Sequence, residues 1–373
     1  MTMKEKQSKK RIASVPLVFI GSLFIGACMG GWMARTNPDG ADTSWLFLAA
    51  EFLFLAVSAY LQIILHEAGH LAAGLLSGYR FVSFRIGNSM VQREGERLHY
   101  RRLHLPGTGG QCLMDPPMQG EILPFRLYNL GGILMNLLTA AAAIVGAVFV
   151  RNPYGHAFLQ MFALMGILFA LSNGIPMKTA LISNDGYNVY ALGRDAAALR
   201  AFRLQMHIHA LQAQGIRPKD MPAAWFAFPD EAGLANAMTA AIGVFAEGRA
   251  MDQHDFETAK TYIAALLDAP GTHGLYKNLL TLDRIYIDLL EQGDAADVSA
   301  LEDKKMRAFC RQMRFFPSVI RTQYAAAVLH AHDDAAAQKL LLQFEKSLRS
   351  YPSSADAALE RELVALAAQR SDS

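Results

Sequence analysis

Four apolar runs dominate the first half of the chain, and none shows the alternation of a surface helix. Ile12–Ala34 holds no charge, Thr43–Leu65 holds only Glu51 and continues apolar to about Leu76, and Leu127–Val150 and Tyr154–Met177 hold none. A membrane-crossing helix needs about 20 mostly apolar residues, and a helix apolar on every side has no face for water. The pattern therefore predicts four transmembrane helices, over 12–34 and about 43–76, 122–150 and 154–178. Between the second and third runs the period changes to two. Val82, Phe84 and Ile86 alternate with Phe81, Ser83 and Arg85. Gly87-Asn88-Ser89 and Glu94-Gly95-Glu96 are turn-like, and Arg97–Leu105 reads as a further strand. Residues 79–121 are thus expected to form a small β-sheet at the membrane surface. From 191 to 373 the chain is rich in Ala, evenly charged and helical in period. Helices are expected after Asp255 and Asp333, ending near Pro270 and Pro352, with a weaker copy from Gly293 to Pro317. These units resemble tetratricopeptide helical hairpins, whose period is about 34 residues and whose concave face would take a protein partner. A plain stabilising helical bundle is the alternative. The last residues, from about Gln369, are expected to be disordered.

Composition explains this division. Of 373 residues 52% are hydrophobic and 18% charged, and between 12 and 78 the only charges are Arg35, Asp39, Asp42, Glu51 and Glu67. That excludes an ordinary soluble enzyme for the first half. The net charge of +2 carries no nucleic-acid signature, and the three separated cysteines suggest neither a disulfide framework nor a metal pair. Lysine and arginine concentrate in residues 1–11 and 79–126, while the loops 35–44 and 151–153 carry one arginine each. Both basic segments are therefore expected in the cytoplasm, as are both termini, in a multi-pass protein of a bacterial inner or plasma membrane. A basic tail before an apolar run could also be a signal peptide, and Ile25–Cys28 loosely resembles a lipoprotein cleavage box. The 23 uncharged residues suit a permanent anchor better.

Chemistry enters at the end of the second run, His66-Glu67-Ala68-Gly69-His70. Histidines at i and i+4 share a helix face and can reach one ion, and the glutamate between them can act as base on its water. Such groups are costly in an apolar helix, which argues for function over two incidental histidines. Catalytic zinc takes a third protein ligand. Asp185 in Asn184-Asp185-Gly186 is the candidate, because the fourth run returns it to the membrane side of His66. Asp39-Gly40 reads as a turn at the far end of a helix that rises about 32 Å from Trp45 to His66 at 1.5 Å per residue. Glu51 is expected to be a hydrogen-bonding group of the helix bundle, and His99 and His104 are expected at the interface rather than on a metal.

These residues resemble the site-2 protease family of intramembrane zinc metalloproteases, known by HExxH on one membrane helix, GxxxN on the next and NxxPxxxxDG on the third. The matching positions are His66–His70, Gly132–Asn136, and Asn173–Pro176 followed by Asp185-Gly186, and the resemblance covers about residues 43–190. Eight residues separate Pro176 from Asp185 where the family pattern has four. The resemblance implies one Zn²⁺ on His66, His70 and Asp185, with Glu67 as general base and acid. It implies that Asn136 and Asn173 sit near the metal, to bond a substrate backbone or an oxyanion. It also implies that Gly107, Gly109 and Gly110 belong to a glycine-containing strand that takes up the unwound substrate by β-augmentation. The expected partners are a membrane-embedded protein or peptide substrate, the bilayer, and a cytoplasmic protein at the helical domain. A membrane-tethered helical-repeat scaffold without activity is the alternative. A membrane HExxH protease with a glutamate ligand is disfavoured, because it needs a second acidic helix in the membrane and 127–177 contains no acidic residue.

Overall fold

In the computed structural model the described residues are 45–103, 109–118, 123–177 and 184–371. The predicted first span at 12–34, His104, Gly107 and the decoy Asp39 lie outside them. Three described helices are long and apolar enough to cross a membrane: α1 (Trp45–Leu76), α2 (Phe125–Phe149) and α3 (Pro153–Gly174). Their mean hydropathies are 2.0, 2.1 and 1.6. Large apolar side chains point outward along all three, such as Phe52, Leu138 and Leu171, each more than half exposed. That is the distribution a lipid solvent allows and water does not.

The chain forms two compact units. One contains residues 45–60 and 140–165. Small residues let its helices approach, with Ala140, Ala143 and Ala163 buried against Leu159 and Phe162. Phe47 packs on Tyr154 and Phe54 on Phe158, at ring distances of 5.4 and 5.7 Å. Glu51 is buried here, but its Oε2 has no hydrogen-bond partner among the described residues, so the expected bond is not found at that oxygen.

The second unit holds the other described residues, from 61–139 and 166–371. Its sheet has four antiparallel strands in the order β3-β2-β1-β4: β1 Arg80–Ile86, β2 Ser89–Glu94, β3 Arg97–Arg102 and β4 Gly110–Asp115. The two predicted turns are present. Sequence alternation missed β2, because Gln92 and Arg93 conceal the apolar Met90 and Val91 beside them. Of the expected third strand Arg97–Leu105, Arg97–Arg102 is strand, Leu103 is not, and the last two residues lie outside the described ones.

After α4 (Asp185–Leu192) and α5 (Ala196–Ala213), the chain is helical: α6 (Ala237–Asp252), α7 (Phe256–Asp268), α8 (Gly274–Gln292), α9 (Lys304–Gln312), α10 (Pro317–Leu329), α11 (Asp334–Leu348) and α12 (Ser354–Ser371), with shorter turns between. Asp255 and Asp333 cap α7 and α11 as their positions predict, accepting from the Thr258 and Ala336 N–H groups. The core contains Ile263, Leu266, Tyr286, Ile320, Phe344 and Leu363. A solenoid repeat touches only its neighbours in sequence. Here α12 packs on α10, as neighbouring hairpins also do, and returns to α5, so the contacts do not confirm a helical repeat. The expected disorder from Gln369 is not found, since α12 continues to Ser371.

Two polar clamps join this bundle to the sheet. Gln92 on β2 donates to the carbonyls of Ala213 and Pro352, at 3.2 and 2.6 Å. At the end of β4, Asp115 bonds both Arg80 and His207, each at 2.7 Å.

Candidate metal centre

Each of the three long apolar helices contributes to holding the site, and glycines determine how closely they approach. Where α1 crosses α2, a Cβ on Gly69 would sit 2.3 Å from the Gly131 carbonyl oxygen, and one on Gly131 would sit 2.4 Å from that of Gly69. A Cβ on Gly132 would lie 2.5 Å from the His66 ring. The glycine of the GxxxN pattern is therefore the floor on which the imidazole rests. Further along, a Cβ on Gly186 would lie 2.1 Å from the Gly174 carbonyl oxygen. Only glycine lets the start of α4 press on the end of α3. Asn184 fastens the same junction. Its amide donates to the carbonyls of Ser172 and Ile175, and its oxygen accepts from the N–H groups of Met177 and Tyr187. The longer connection before Asp185 thus ends in a fixed position.

The result is a compact donor set. His66 Nε2 and His70 Nε2 stand 3.1 Å apart, and Asp185 Oδ2 lies 3.1 Å from the first and 3.3 Å from the second. Zinc takes its ligands at about 2.0–2.1 Å in a tetrahedron, whose corners lie about 3.3–3.4 Å apart. These three atoms fit three such corners, and the group could hold a metal ion. Both rings are also aimed from behind. Asn136 Oδ1 lies 2.7 Å from His66 Nδ1, and the Tyr128 carbonyl oxygen lies 2.8 Å from His70 Nδ1. A proton on each Nδ1 leaves each Nε2 lone pair facing the centre, the outer arrangement that metal-bound histidines use. Burial opposes ionisation of Asp185, but the two imidazoles facing it outweigh burial and hold the carboxyl down at about 2. The site therefore presents one anion and two imidazoles, which suits a divalent cation.

Glu67 stands beside this group without joining it. Its carboxylate accepts a hydrogen bond from the backbone of Cys112 on β4. Gly110 is the closest approach, since a Cβ there would be 2.6 Å from Glu67 Cγ. Burial, with Glu67 adding to it, pushes the Cys112 thiol up to about 12, so this sulfur is no competing nucleophile. Gly109 accepts from the Gly87 N–H, while Gly110 opens β4, which is an edge of the sheet.

The other sequence candidates are placed differently. Asn136 is fully engaged: its amide nitrogen donates to the backbone and side-chain oxygens of Gln62, at 3.0 and 2.7 Å, while its oxygen serves His66. Both of its amide hydrogens are directed at Gln62 and its oxygen backs the His66 ring. Asn173 donates 3.0 Å back to Phe169 in its own helix rather than into the donor set. His99 is exposed on β3, away from the ligands. Sequence reasoning missed Gln62, Tyr128 and Asn184. Gln62 was findable, being an uncharged polar residue one turn before His66 on the same face of an apolar helix. Tyr128 contributes a carbonyl, which no side-chain pattern reveals. No family model matches the chain, and no curated protein or solved structure matches it.

Proposed function

We propose that the protein is an intramembrane zinc metalloendopeptidase of the site-2 protease type, cleaving a membrane-embedded or membrane-proximal peptide bond. One observation carries the reading: two histidines on a helix apolar enough to cross a bilayer converge at tetrahedral spacing with an aspartate from α4, beside a glutamate outside that group. A scaffold needs neither the convergence nor the spare glutamate. Zinc in such a site supplies Lewis acidity and lowers the pKa of its water to about 7.

The chain's own residues do the rest. His66, His70 and Asp185 would hold the ion, with Asn136 and Tyr128 behind the rings. Glu67 takes the proton of the attacking water and delivers it to the departing amine. The Cys112 N–H holds that carboxylate in place until substrate arrives. A helix conceals its backbone, so the substrate must be unwound before attack. The β4 edge, beside Glu67, offers backbone groups on which an extended strand can dock. The orientation that fits the basic segments keeps the sheet and the helical bundle in the cytoplasm.

The test compares new protein N-termini in membranes of cells expressing the wild type or Glu67→Gln. The wild type should generate termini that map to membrane-spanning segments, and the variant should generate none while binding as much zinc by elemental analysis. Identical termini from both would sink the proposal.

A further inference from the structure

The sheet's two faces have different surroundings. Strand register places Met90, Gln92 and Arg101 on one face, and Gln92 and Arg101 there bond carbonyls of the helical bundle at Ala213, Pro352 and Tyr351. The same register places Phe84, Val91 and Tyr100 in a row on the opposite face, ending at Cys112. Gly110 belongs to that face too, through its pairing with Ile86, and its missing Cβ would point at Glu67 of α1. This second face is therefore the one turned toward the apolar helix. Gly109 lies against Ile63 and Met114 against Gly74, so β4 runs alongside the last turns of α1. Strands are spaced about 4.8 Å apart, so the face continues about 15 Å beyond β4 to β3.

The part that extends past α1 is uncovered. Leu98 and Tyr100 are each 63% exposed and Val91 38%. Arg93 pairs across from Leu98, and Arg102 neighbours Tyr100 on the same side, both exposed. On β2 and β3 no carboxylate shares this face, because Glu94 turns to the other one and pairs with Arg101. Apolar and aromatic side chains framed by arginines, beside an apolar helix, match one solvent. Tyrosine and leucine suit the headgroup boundary, and arginines pair with anionic lipid phosphates while their stems lie in the apolar zone.

We propose that this face of the β2–β3 hairpin is a lipid-docking surface, which rests on the headgroup layer of an anionic bilayer and anchors the sheet at the depth of the metal centre. The proposal depends on the bilayer reading of α1 but not on proteolysis. It assigns the arginines to phosphate and the Leu98–Tyr100 pair to the acyl boundary.

The test uses the full chain with Cys28→Ser, reconstituted in vesicles. An environment-sensitive fluorophore is attached at Leu98→Cys or, for comparison, at Glu345→Cys on the exposed side of α11. Tyr100→Cys serves as a second site in case the first variant folds poorly. Phospholipid carrying a spin label near the headgroup should quench the hairpin label several-fold more than the control label. Quenching should rise when phosphatidylglycerol replaces part of the phosphatidylcholine, and fall when Arg93→Gln and Arg102→Gln are added. Equal quenching at the hairpin and Glu345 overturns the proposal. So does quenching indifferent to phosphatidylglycerol, or a label shielded only when a membrane peptide is added, which would make the face a substrate surface. Alkaline carbonate reports on the helices separately: a chain it strips from vesicles fails the bilayer reading itself, whereas failure at the hairpin alone leaves that reading standing.

Discussion

At the scale of single residues, the site depends on what stands behind its ligands. Asn136 is the clearest case. Its oxygen faces His66 Nδ1 at 2.7 Å, and its nitrogen is anchored to Gln62. Replacing it with leucine keeps the volume and removes the acceptor, so the His66 ring loses the partner that selects its tautomer. Loss of such an outer partner typically costs 10–100-fold in metal affinity. Asn136→Leu should therefore weaken zinc binding by about that factor, read by competition with a chelator, while leaving helix content unchanged by circular dichroism. Unaltered affinity would return Asn136 to a role toward substrate. The His66–His70–Asp185 group and the neighbouring Glu67 were legible because a metal site of this kind needs particular side chains at particular spacing: two imidazoles one turn apart, a glutamate between, and an aspartate that follows two further apolar helices. The supports were less legible. The Tyr128 carbonyl and the Cys112 backbone carry no residue signature, and Asn136 was noticed for its position but not for its bonds to His66 and Gln62. A pattern of identities gives proximity to a metal without saying which way an amide faces.

Among elements, the decisive junction is α3 with α4. The connection before Asp185 is longer than the family pattern, yet the carboxylate arrives within 3.3 Å of both imidazoles. Asn184 and Gly186 account for this, one by bonding across the junction and the other by having no side chain. In Gly186→Ala, the added methyl would stand 2.1 Å from a backbone oxygen that has no room to retreat into its own helix. The α4 start must then shift outward and carry Asp185 with it. Purified Gly186→Ala should lose most of its zinc by elemental analysis, while Gly248→Ala, inside α6 with nothing within 4 Å of the added methyl, should retain it. Full zinc content in Gly186→Ala would mean that the aspartate does not need the close junction. The Gly-Asn-Ser and Glu-Gly-Glu turns were readable in the sheet, because turn residues are locally determined. The strand between them was not, since β2 buries Gln92 and leaves Val91 outside. That inversion of the usual preference follows from its two faces: the inward one meets bundle carbonyls, and the outward one turns toward the apolar side.

Across the whole molecule, the even charge of the second half gave no warning that some of those charges point inward. Arg321 is buried with Asp283 and Glu360, and the helices carrying them close around it. Nearby, Asp356 accepts from Gln212 at 2.8 Å, in the same corner where Ser353 bonds the Gln212 carbonyl and Pro352 receives Gln92 of the sheet. Burial pushes the Asp356 carboxyl up to about 6, against the hydrogen bonds from Ser353 and Gln212, and pushes Glu360 up to about 7 despite Arg321. An acid whose folded pKa is raised holds a proton that the unfolded chain would release. Its stabilising contribution is full below the unfolded value near 4 and is lost as pH rises through 6 to 7. The full-length protein in detergent should therefore melt a few degrees higher at pH 5 than at pH 8, followed by the fluorescence of Trp225 in this half. Asp356→Asn keeps the shape and removes the titration, so it should narrow that difference chiefly by raising the melting temperature at pH 8. If wild type and variant keep the same pH dependence, the corner is not tuned by this carboxyl. If the difference narrows, mild alkalinity loosens the contact through which the bundle holds β2. Because β2 pairs with β1 and β1 with β4, that contact lies two strands from the backbone N–H that holds Glu67.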